Sequence, residues 1–375
     1  MYLESIQLKN YRNYEKAEAT FSPGMNVFIG ENAQGKTNLM ESIYVLAMAR
    51  SHRANSDKEL IKWSSDFTKI SGRIKKDRSD FPLEIVVSKK GKSARFNHLE
   101  QKKLSSYIGH LNVILFAPED LSLVKGSPSV RRKFLDMELG QMNRLYLHHL
   151  VDYQRVLKQR NQYLKQISRG KKADPIYLDV LTEQLAREAS VVLLERVKFV
   201  DQLQIWAQPI HSDISRKKEN LTISYVSSIP IEEIKNKDKE VIYKEILMHW
   251  KTQSEREKDQ GTTLSGPHRD DLIFIVNEKN IQTFGSQGQQ RTTALSVRLA
   301  EIELMYKMTG EYPVLLLDDV WSELDDERQT HLLKTFENKV QTFLTTTSLD
   351  GVKMNLLEKP KVFYIEGGQV EKESE

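Results

Sequence analysis

Apolar and polar positions change rhythm repeatedly along this chain. The first residues, "MYLESIQLKNYRN", alternate with a period of two, as a half-buried strand does. Residues 25–30, "MNVFIG", form a continuous apolar run ending in glycine, the pattern of a strand buried on both faces. "TNLMESIYVLAMA" then sets Leu39, Ile43 and Leu46 at helical spacing. "DFTKISGRIKKD" and "FPLEIVVSKKGKSARFN" return to alternation and predict a hairpin-like pair of strands. Residues 112–121, "NVILFAPEDL", read as another buried strand, closed by a proline.

From about residue 129 to 248 the rhythm becomes helical. Phe134, Leu135, Leu139 and Met142, followed by Leu145, Leu150, Leu157 and Leu164, predict one long amphipathic helix. "RGKKADP" breaks it, and a second helix is expected from about 176 to 211. The two form an antiparallel arm of about 35 residues each, roughly 50 Å long at 1.5 Å per residue. "NLTISYVSS" reads as a strand and "DKEVIYKEILMHWKTQSEREKDQG" as a further helix. Strand and glycine patterns return at Thr262, with a hairpin turn at 277–280 and a helix beginning near Gln290. "EYPVLLLDDV" is an apolar strand ending in two aspartates, and "VQTFLTTTSL" is a later strand. The expected organisation is an α/β head of residues 1–120 plus 262–375, interrupted by a helical arm lobe of 121–261. A chain of 375 residues is long for one core and suits two such units.

Composition narrows the functional classes. No run of about 18 apolar residues occurs, so no membrane span is expected, and the N-terminal pattern is not that of a signal peptide. There is no cysteine, which excludes disulfides, cysteine-ligated zinc and thiol catalysis and fits a reducing cytoplasm. The formal net charge of +4 is too small to declare nucleic-acid binding. Local clusters at 73–78, 89–95 and 169–172 would suit either a phosphate backbone or solvated loops.

The chemistry begins at "GENAQGKT", residues 30–37, which match GxxxxGK[ST] between the predicted strand and helix. Gly30, Glu31, Asn32, Ala33, Gln34 and Gly35 supply backbone N–H groups to phosphates at a helix N-terminus. Lys36 reaches the β- and γ-phosphates, and Thr37 ligates magnesium. The alternative is a glycine turn before an ordinary helix. The second half of such a site is expected at a strand end, where ligands of open α/β sheets gather. Asp318 and Asp319 stand there: Asp318 to hold Mg2+, Asp319 to polarise the attacking water. About 280 residues separate Lys36 from Asp318, far more than in nucleotide kinases or small GTPases. That gap, with its helical excursion, resembles the SMC and ABC style of ATPase.

"GSQGQQR", residues 285–291, resembles the ABC signature, with Ser286, Gly288 and Gln289 at a helix start. In ABC ATPases that element binds the γ-phosphate of the opposite subunit, so the resemblance implies an ATP-dependent homodimer. "SELD", residues 322–325, stands where the D-loop crosses such an interface. Gly285 and Gln287 depart from the usual LSGGQ, so transporters match poorly. No Q-loop glutamine follows the strand at 112, and no switch histidine stands at 345–347. Slow hydrolysis is therefore expected, with binding as the main event.

The motifs together resemble one family. "LKNYRNY", "GENAQGKTN", "ARSHR", "APEDLSLVKGSPSVRRKFLD", "SGPHRDD", "SQGQQR" and "LLLDDVWSELD" are similar, in order and across essentially the whole chain, to the RecF family of bacterial recombination-mediator ATPases. The resemblance implies an ABC/SMC-type head with ATP and Mg2+ as cofactors. It also implies double- and single-stranded DNA at gaps or stalled forks, the partners RecO and RecR, loading of RecA, and a cytoplasmic location. By similarity to SMC-type heads, Arg12 leans toward the nucleotide phosphates. Arg131 and Arg132 with Asp136 would form either a hinge between head and arm or a helix-start salt bridge. His268 and Arg269 take no assigned role. An SMC-like structural head is the alternative reading, but it needs a far longer coiled coil. A small-molecule phosphotransferase would leave the signature segment unexplained.

Overall fold

The computed structural model describes residues 1–76, 79–319, 329, 339–347 and 360–372. In chain order it begins with β1 (Tyr2–Tyr11), β2 (Tyr14–Thr20), β3 (Met25–Ile29) and α1 (Lys36–Met48). β4 (Phe67–Lys76), β5 (Ser79–Ser88), β6 (Gly91–Phe96), β7 (Leu99–Glu100), α2 (Leu104–Tyr107) and β8 (Val113–Phe116) follow. The central stretch holds α3 (Leu121–Lys125), α4 (Pro128–Met142), α5 (Arg144–Ile167), α6 (Pro175–Ile214), β9 (Leu221–Val226) and α7 (Lys239–Gln260). It ends with β10 (Asp271–Val276), β11 (Lys279–Asn280), α8 (Ile281–Phe284) and α9 (Gln287–Thr309). β12 (Val314–Leu317), β13 (Thr342–Thr346), β14 (Lys361–Glu366) and β15 (Gln369–Lys372) close the sequence.

Two compact units result, one of Met1–Asp120 with Arg298–Glu375, the other Leu121–Val297. The rhythm of the sequence places the return to the head at residue 262; the units divide at 297/298 instead. The reason is pairing: β10 lies antiparallel to β9 from Asp271↔Val226 to Val276↔Leu221, which keeps 262–297 with the inserted segment. The N-terminal half of α9 thus belongs to the second unit.

The first unit contains two six-stranded sheets. One has the order β15-β14-β3-β13-β12-β8, parallel from β14 to β8; the other is antiparallel, β2-β1-β4-β5-β6-β7. α1 packs against strands of both, and its Leu39, Met40, Ile43, Val45 and Leu46 are fully buried. A helix apolar on nearly all sides is what a sandwiched position demands. Gln341 ties the sheets together: its amide accepts from Leu3 N and donates to Leu3 O, both at 2.8 Å, at the bulge of β1. Phe21, Phe28, Phe343 and Phe363 fill the space beneath, with Phe21 and Phe343 edge to face at 4.7 Å.

In the second unit the long first helix of the sequence reading is broken. Asn143 leaves helical backbone (φ −132°, ψ 99°) and accepts from Tyr146 N at 3.0 Å, so it caps α5 after α4 has ended. Asparagine is among the best N-caps, and that local bond outweighs continued periodicity. α5 and α6 then run antiparallel, with Tyr163 and Leu164 packed on Leu178 and Leu181. α6 has 40 residues rather than about 35, so it reaches roughly 60 Å. Among the described residues, no helix is long and apolar enough to cross a membrane.

Buried polar links hold this unit together. Arg160 bonds Glu257 at 2.6 Å and Thr263 at 2.7 Å, all three buried. The helix-start salt bridge considered for Asp136 is not formed with Arg131 or Arg132. Arg131 instead grips both carboxylate oxygens of Asp271 (2.7 and 2.8 Å), Arg132 donates to Asp270 O, and Asp136 takes Arg196 at 2.5 Å. These residues staple α4 to distant chain.

His268 acquires a structural role. Thr263 O can only accept, so Nε2 carries the proton (3.2 Å), and Nδ1 accepts from Tyr153 Oη at 2.6 Å. Burial depresses the imidazole pKa from 6.5 to about 4, with Arg269 and Arg132 adding to the effect. A depressed folded pKa means stability fully present above pH 6.5 and lost as the pH falls toward 4. Between pH 6.5 and 5 the second unit should lose about 2 kcal/mol. Hydrogen exchange of core amides in α6 measures this, and His268→Gln should flatten the slope.

Candidate nucleotide-binding site

The phosphate loop spans the turn from β3 into α1, as its motif requires. Glycine at 30 is obligatory, because a Cβ there would stand 2.3 Å from Ile365 O. Gly35 has φ +121°, and Ala33 is left-handed at φ +66°. Alternating backbone of this kind turns successive N–H groups inward and makes an anion nest at the start of α1. Lys36 Nζ donates to Gly30 O at 2.6 Å and Glu31 O at 2.9 Å, folding back over the loop. Its burial lowers the ammonium pKa, while Asp319 and Asp318 oppose that shift. A dianionic phosphate would relieve the same desolvation.

Sheet order explains how residues about 280 positions apart meet. β13 lies between β3 and β12, parallel to both, so the ends of all three strands open on one edge. Thr37 Oγ1 donates to Asp318 Oδ1 at 3.1 Å, joining the two residues assigned to a metal. Thr345, at the end of β13, donates to the same Oδ1 at 3.0 Å and accepts from Asp319 N at 2.9 Å. The position lacking a switch histidine therefore holds the geometry of both aspartates. Burial raises the Asp318 pKa, the Thr345 and Thr37 hydrogen bonds oppose it, and Asp319 raises it further. Two adjacent carboxylates and a hydroxyl, one carboxylate destabilised by burial, fit a divalent cation with oxygen ligands. Among the described residues no group of three or more acidic or histidine side chains offers a self-sufficient metal cage.

Further supports come from residues to which the sequence assigns no role at the loop. Asn13 Nδ2 donates to Gln34 O at 3.2 Å, and Tyr14 Oη to Gly35 O at 3.0 Å. The turn between β14 and β15 joins Asn13 at the same place, Gly367 N donating to Gln34 Oε1 (2.7 Å) and Gly368 N to Gln34 O (3.1 Å). Arg53, from "ARSHR", exerts its positive charge on Asp318.

Arg12, placed toward the phosphates by resemblance, is engaged by Glu41 here, at 2.9 Å from Nε and 2.8 Å from Nη2. Burial alone would raise the Glu41 carboxyl, but hydrogen bonds from Arg12, Ser51 and Tyr11 hold it below its ordinary range. Contact with a nucleotide would require Arg12 to share that partner. The basic clusters also have partners: Lys75 binds Glu4, Lys89 binds Asp66, Lys92 binds Asp57 and Arg95 binds Glu84. Arg78 lies outside the described residues.

The signature segment lies in the second unit. α9 starts at Gln287, earlier than the expected Gln290, so Ser286 becomes its N-cap. Ser286 Oγ accepts from Gln289 N at 3.2 Å, and Gln289 Oε1 accepts from Ser286 N at 3.0 Å, a reciprocal capping box. Gln289 Nε2 also donates to Glu219 at 2.8 Å. Ser286, Gln287 and Gly288 are exposed. The D-loop candidate at 322–325 lies outside the described residues.

A family model described as "RecF/RecN/SMC N terminal domain" matches residues 2–368. The "DNA replication and repair protein RecF" of Latilactobacillus sakei is 59% identical over 370 residues, covering 99% of this chain and 98% of that protein. The chain belongs to the RecF family. The RecF of Enterococcus faecalis is 58% identical over 374 residues, with both chains fully covered. A solved RecF–ATP structure, described as the recombination mediator protein in the RecFOR pathway, superposes with TM-score 0.92 at 33% identity. It covers 100% of this chain and 98% of that one. A Pyrococcus furiosus Smc head matches with TM-score 0.55 at 16% identity, covering 100% and 96%; this likeness shows the fold alone. The RecF fold here is thus an ABC/SMC-type ATPase head with a helical insertion.

Proposed function

We propose that this chain is an ATP-gated DNA-binding protein of replication and repair. ATP closes two copies on double- or single-stranded DNA at gaps or stalled forks, and hydrolysis releases them. RecO and RecR are its partners in the RecFOR pathway, RecA loading is the outcome, and the cytoplasm is its location. The relatives' names and the RecF–ATP description support the pathway and the cofactor.

The observation that carries the gating is at residue 288. A Cβ on Gly288 would meet nothing closer than Ser286 Oγ at 3.9 Å. Among the described residues, nothing in the chain demands glycine at this exposed helix start. A ligand that must approach the backbone closely from outside does demand it. The helix N-terminus with Ser286 and Gly288 is then the cap for a phosphate held in a second copy's loop, and Gln289 supports it from the first turn.

Magnesium, when bound, would neutralise phosphate charge. Thr37 and Asp318 would hold it, and Thr345 keeps Asp318 aligned. Lys36 orients the phosphate chain, and Asp319 orients the attacking water. Equilibrium sedimentation with a slowly hydrolysed ATP analogue, with and without duplex DNA, tests the reading. Dimers only with nucleotide, stabilised by DNA, are expected; nucleotide-independent mass would sink it. A structural SMC-like head is the weaker reading, since an α6 of roughly 60 Å is too short for a chromosome-spanning coiled coil.

Asp319→Asn should leave ATP binding intact and slow hydrolysis about 10²–10⁴-fold, prolonging the dimer. The left-handed backbone at 319 (φ +55°) suits asparagine as well as aspartate, so the variant keeps its local shape. Single-turnover phosphate release is the measurement, and an unchanged rate would move the water-orienting role elsewhere.

A further inference from the structure

Trp63 is 93% exposed, more than any other large apolar side chain among the described residues. It stands on a closed turn: Ser65 N donates to Lys62 O at 3.0 Å, and Ser64 has φ +69°, as the third residue of a type II turn does. The backbone therefore holds the indole out in water, the least favourable place for so large an apolar ring.

That turn is fastened to the nucleotide site. Lys62 N donates to Asn10 O and Arg12 N to Leu60 O, both at 2.9 Å, and Tyr11 bridges Ile61. The same segment continues into Asn13 and Tyr14, which hold the carbonyls of Gln34 and Gly35. Asn38, in the first turn of α1, donates to Asn13 Oδ1 at 2.9 Å. Residues 10–14 thus connect the start of α1 directly to the Trp63 turn.

The orientation of the site gives this connection meaning. Thr37 faces Asp318, which marks the metal and the terminal phosphates. Asn38, the next residue round the helix, faces Asn13 on another side. A nucleotide with its terminal phosphates at Thr37 and its remaining phosphate at the Asn38 side of the helix start would lead its nucleoside away from the metal pair, toward residues 10–13. Three residues span at most roughly 10 Å, a distance a nucleoside can bridge.

We propose that Trp63 is the base platform of this site, its indole stacking on the purine ring of the bound nucleotide. This rests on the nucleotide-binding reading above. The base supplies the second apolar face that the protein withholds from the indole, and stacking needs no further hydrogen-bond partner. The loop would then fix the phosphates and the Trp63 turn the base, on separate pieces of chain.

The full-length chain, Trp63→Ala and Trp63→Phe are titrated with ATP and with inorganic tripolyphosphate, each with magnesium, by calorimetry. Trp63→Ala should bind ATP about ten-fold more weakly or worse, and Trp63→Phe should keep most of the affinity. Tripolyphosphate should bind all three proteins equally, and ATP should quench tryptophan emission in the wild type but much less in Trp63→Ala. Wild-type ATP affinity in Trp63→Ala overturns the proposal while leaving the nucleotide site standing. So does an equal loss for ATP and tripolyphosphate, which would mean a damaged loop. A loss of nucleotide-free duplex DNA binding alone would overturn it in favour of a nucleic-acid contact. If the wild type binds neither ligand, the nucleotide reading itself falls.

Discussion

Lys36→Ala should weaken ATP binding by about 10²-fold or more, because truncating one member of a buried, hydrogen-bonded charge pair typically costs 2–5 kcal/mol. Lys36 is buried and, among the described residues, hydrogen-bonded to the loop carbonyls Gly30 O and Glu31 O, so its ammonium is already desolvated and aimed where phosphate charge would sit. Alanine removes the charge and leaves both carbonyls without this donor, which compounds the loss. Folding should survive, since Leu39, Met40, Ile43 and Leu46 keep α1 packed. The measurement is the ATP-dependent rise in melting temperature together with calorimetric affinity. In the variant the ATP-dependent rise should vanish while the nucleotide-free melting temperature stays near the wild type. Undiminished affinity would remove the loop from nucleotide binding.

Two halves of the candidate site were legible because each is a local device. The phosphate loop needs consecutive residues to make one turn, and Asp318 needs only a strand to end beneath it. What joins them was not legible. Thr345 bonds Asp318 only because β13 lies between β3 and β12, and strand order is a property of the sheet rather than of any window of sequence. Asn13 and Gly367 brace the loop from opposite ends of the chain for the same reason. The break at Asn143 was hidden by continuing apolar periodicity: Leu139 and Met142 precede it, Leu145 and Leu150 follow it. A single capping bond ended the helix where the pattern did not. Asp136 looked like a partner for the nearby Arg131, but the fold gave Arg131 to Asp271 and Asp136 to Arg196. Charged pairs at short spacing carry little information when long-range partners are better aligned and more buried.

Ser286→Arg separates a site shared by two chains from a site completed within one. Ser286 caps α9 through its exchange with Gln289, so its loss costs about 1 kcal/mol of local helix stability whatever its other role. Ser286→Ala carries the same capping loss without bulk and serves as the control. If the helix start closes over the phosphate of a second copy, arginine intrudes on that phosphate while alanine does not. Ser286→Arg should then bind ATP as a monomer with near wild-type affinity, yet neither dimerise nor hydrolyse it. Ser286→Ala should dimerise with at most a modest deficit. Mixing Ser286→Arg with Lys36→Ala gives a sharper result, because only one of the two composite sites then combines an intact loop with an intact helix start. Such mixtures should show at most one working site per heterodimer, above the near-zero turnover of either variant alone. Equilibrium sedimentation with a slowly hydrolysed analogue, followed by turnover of the mixture, reads both quantities. Full ATP-induced dimerisation of Ser286→Arg would place the helix start outside the interface, and the gating mechanism would lose the element that makes ATP a link between chains.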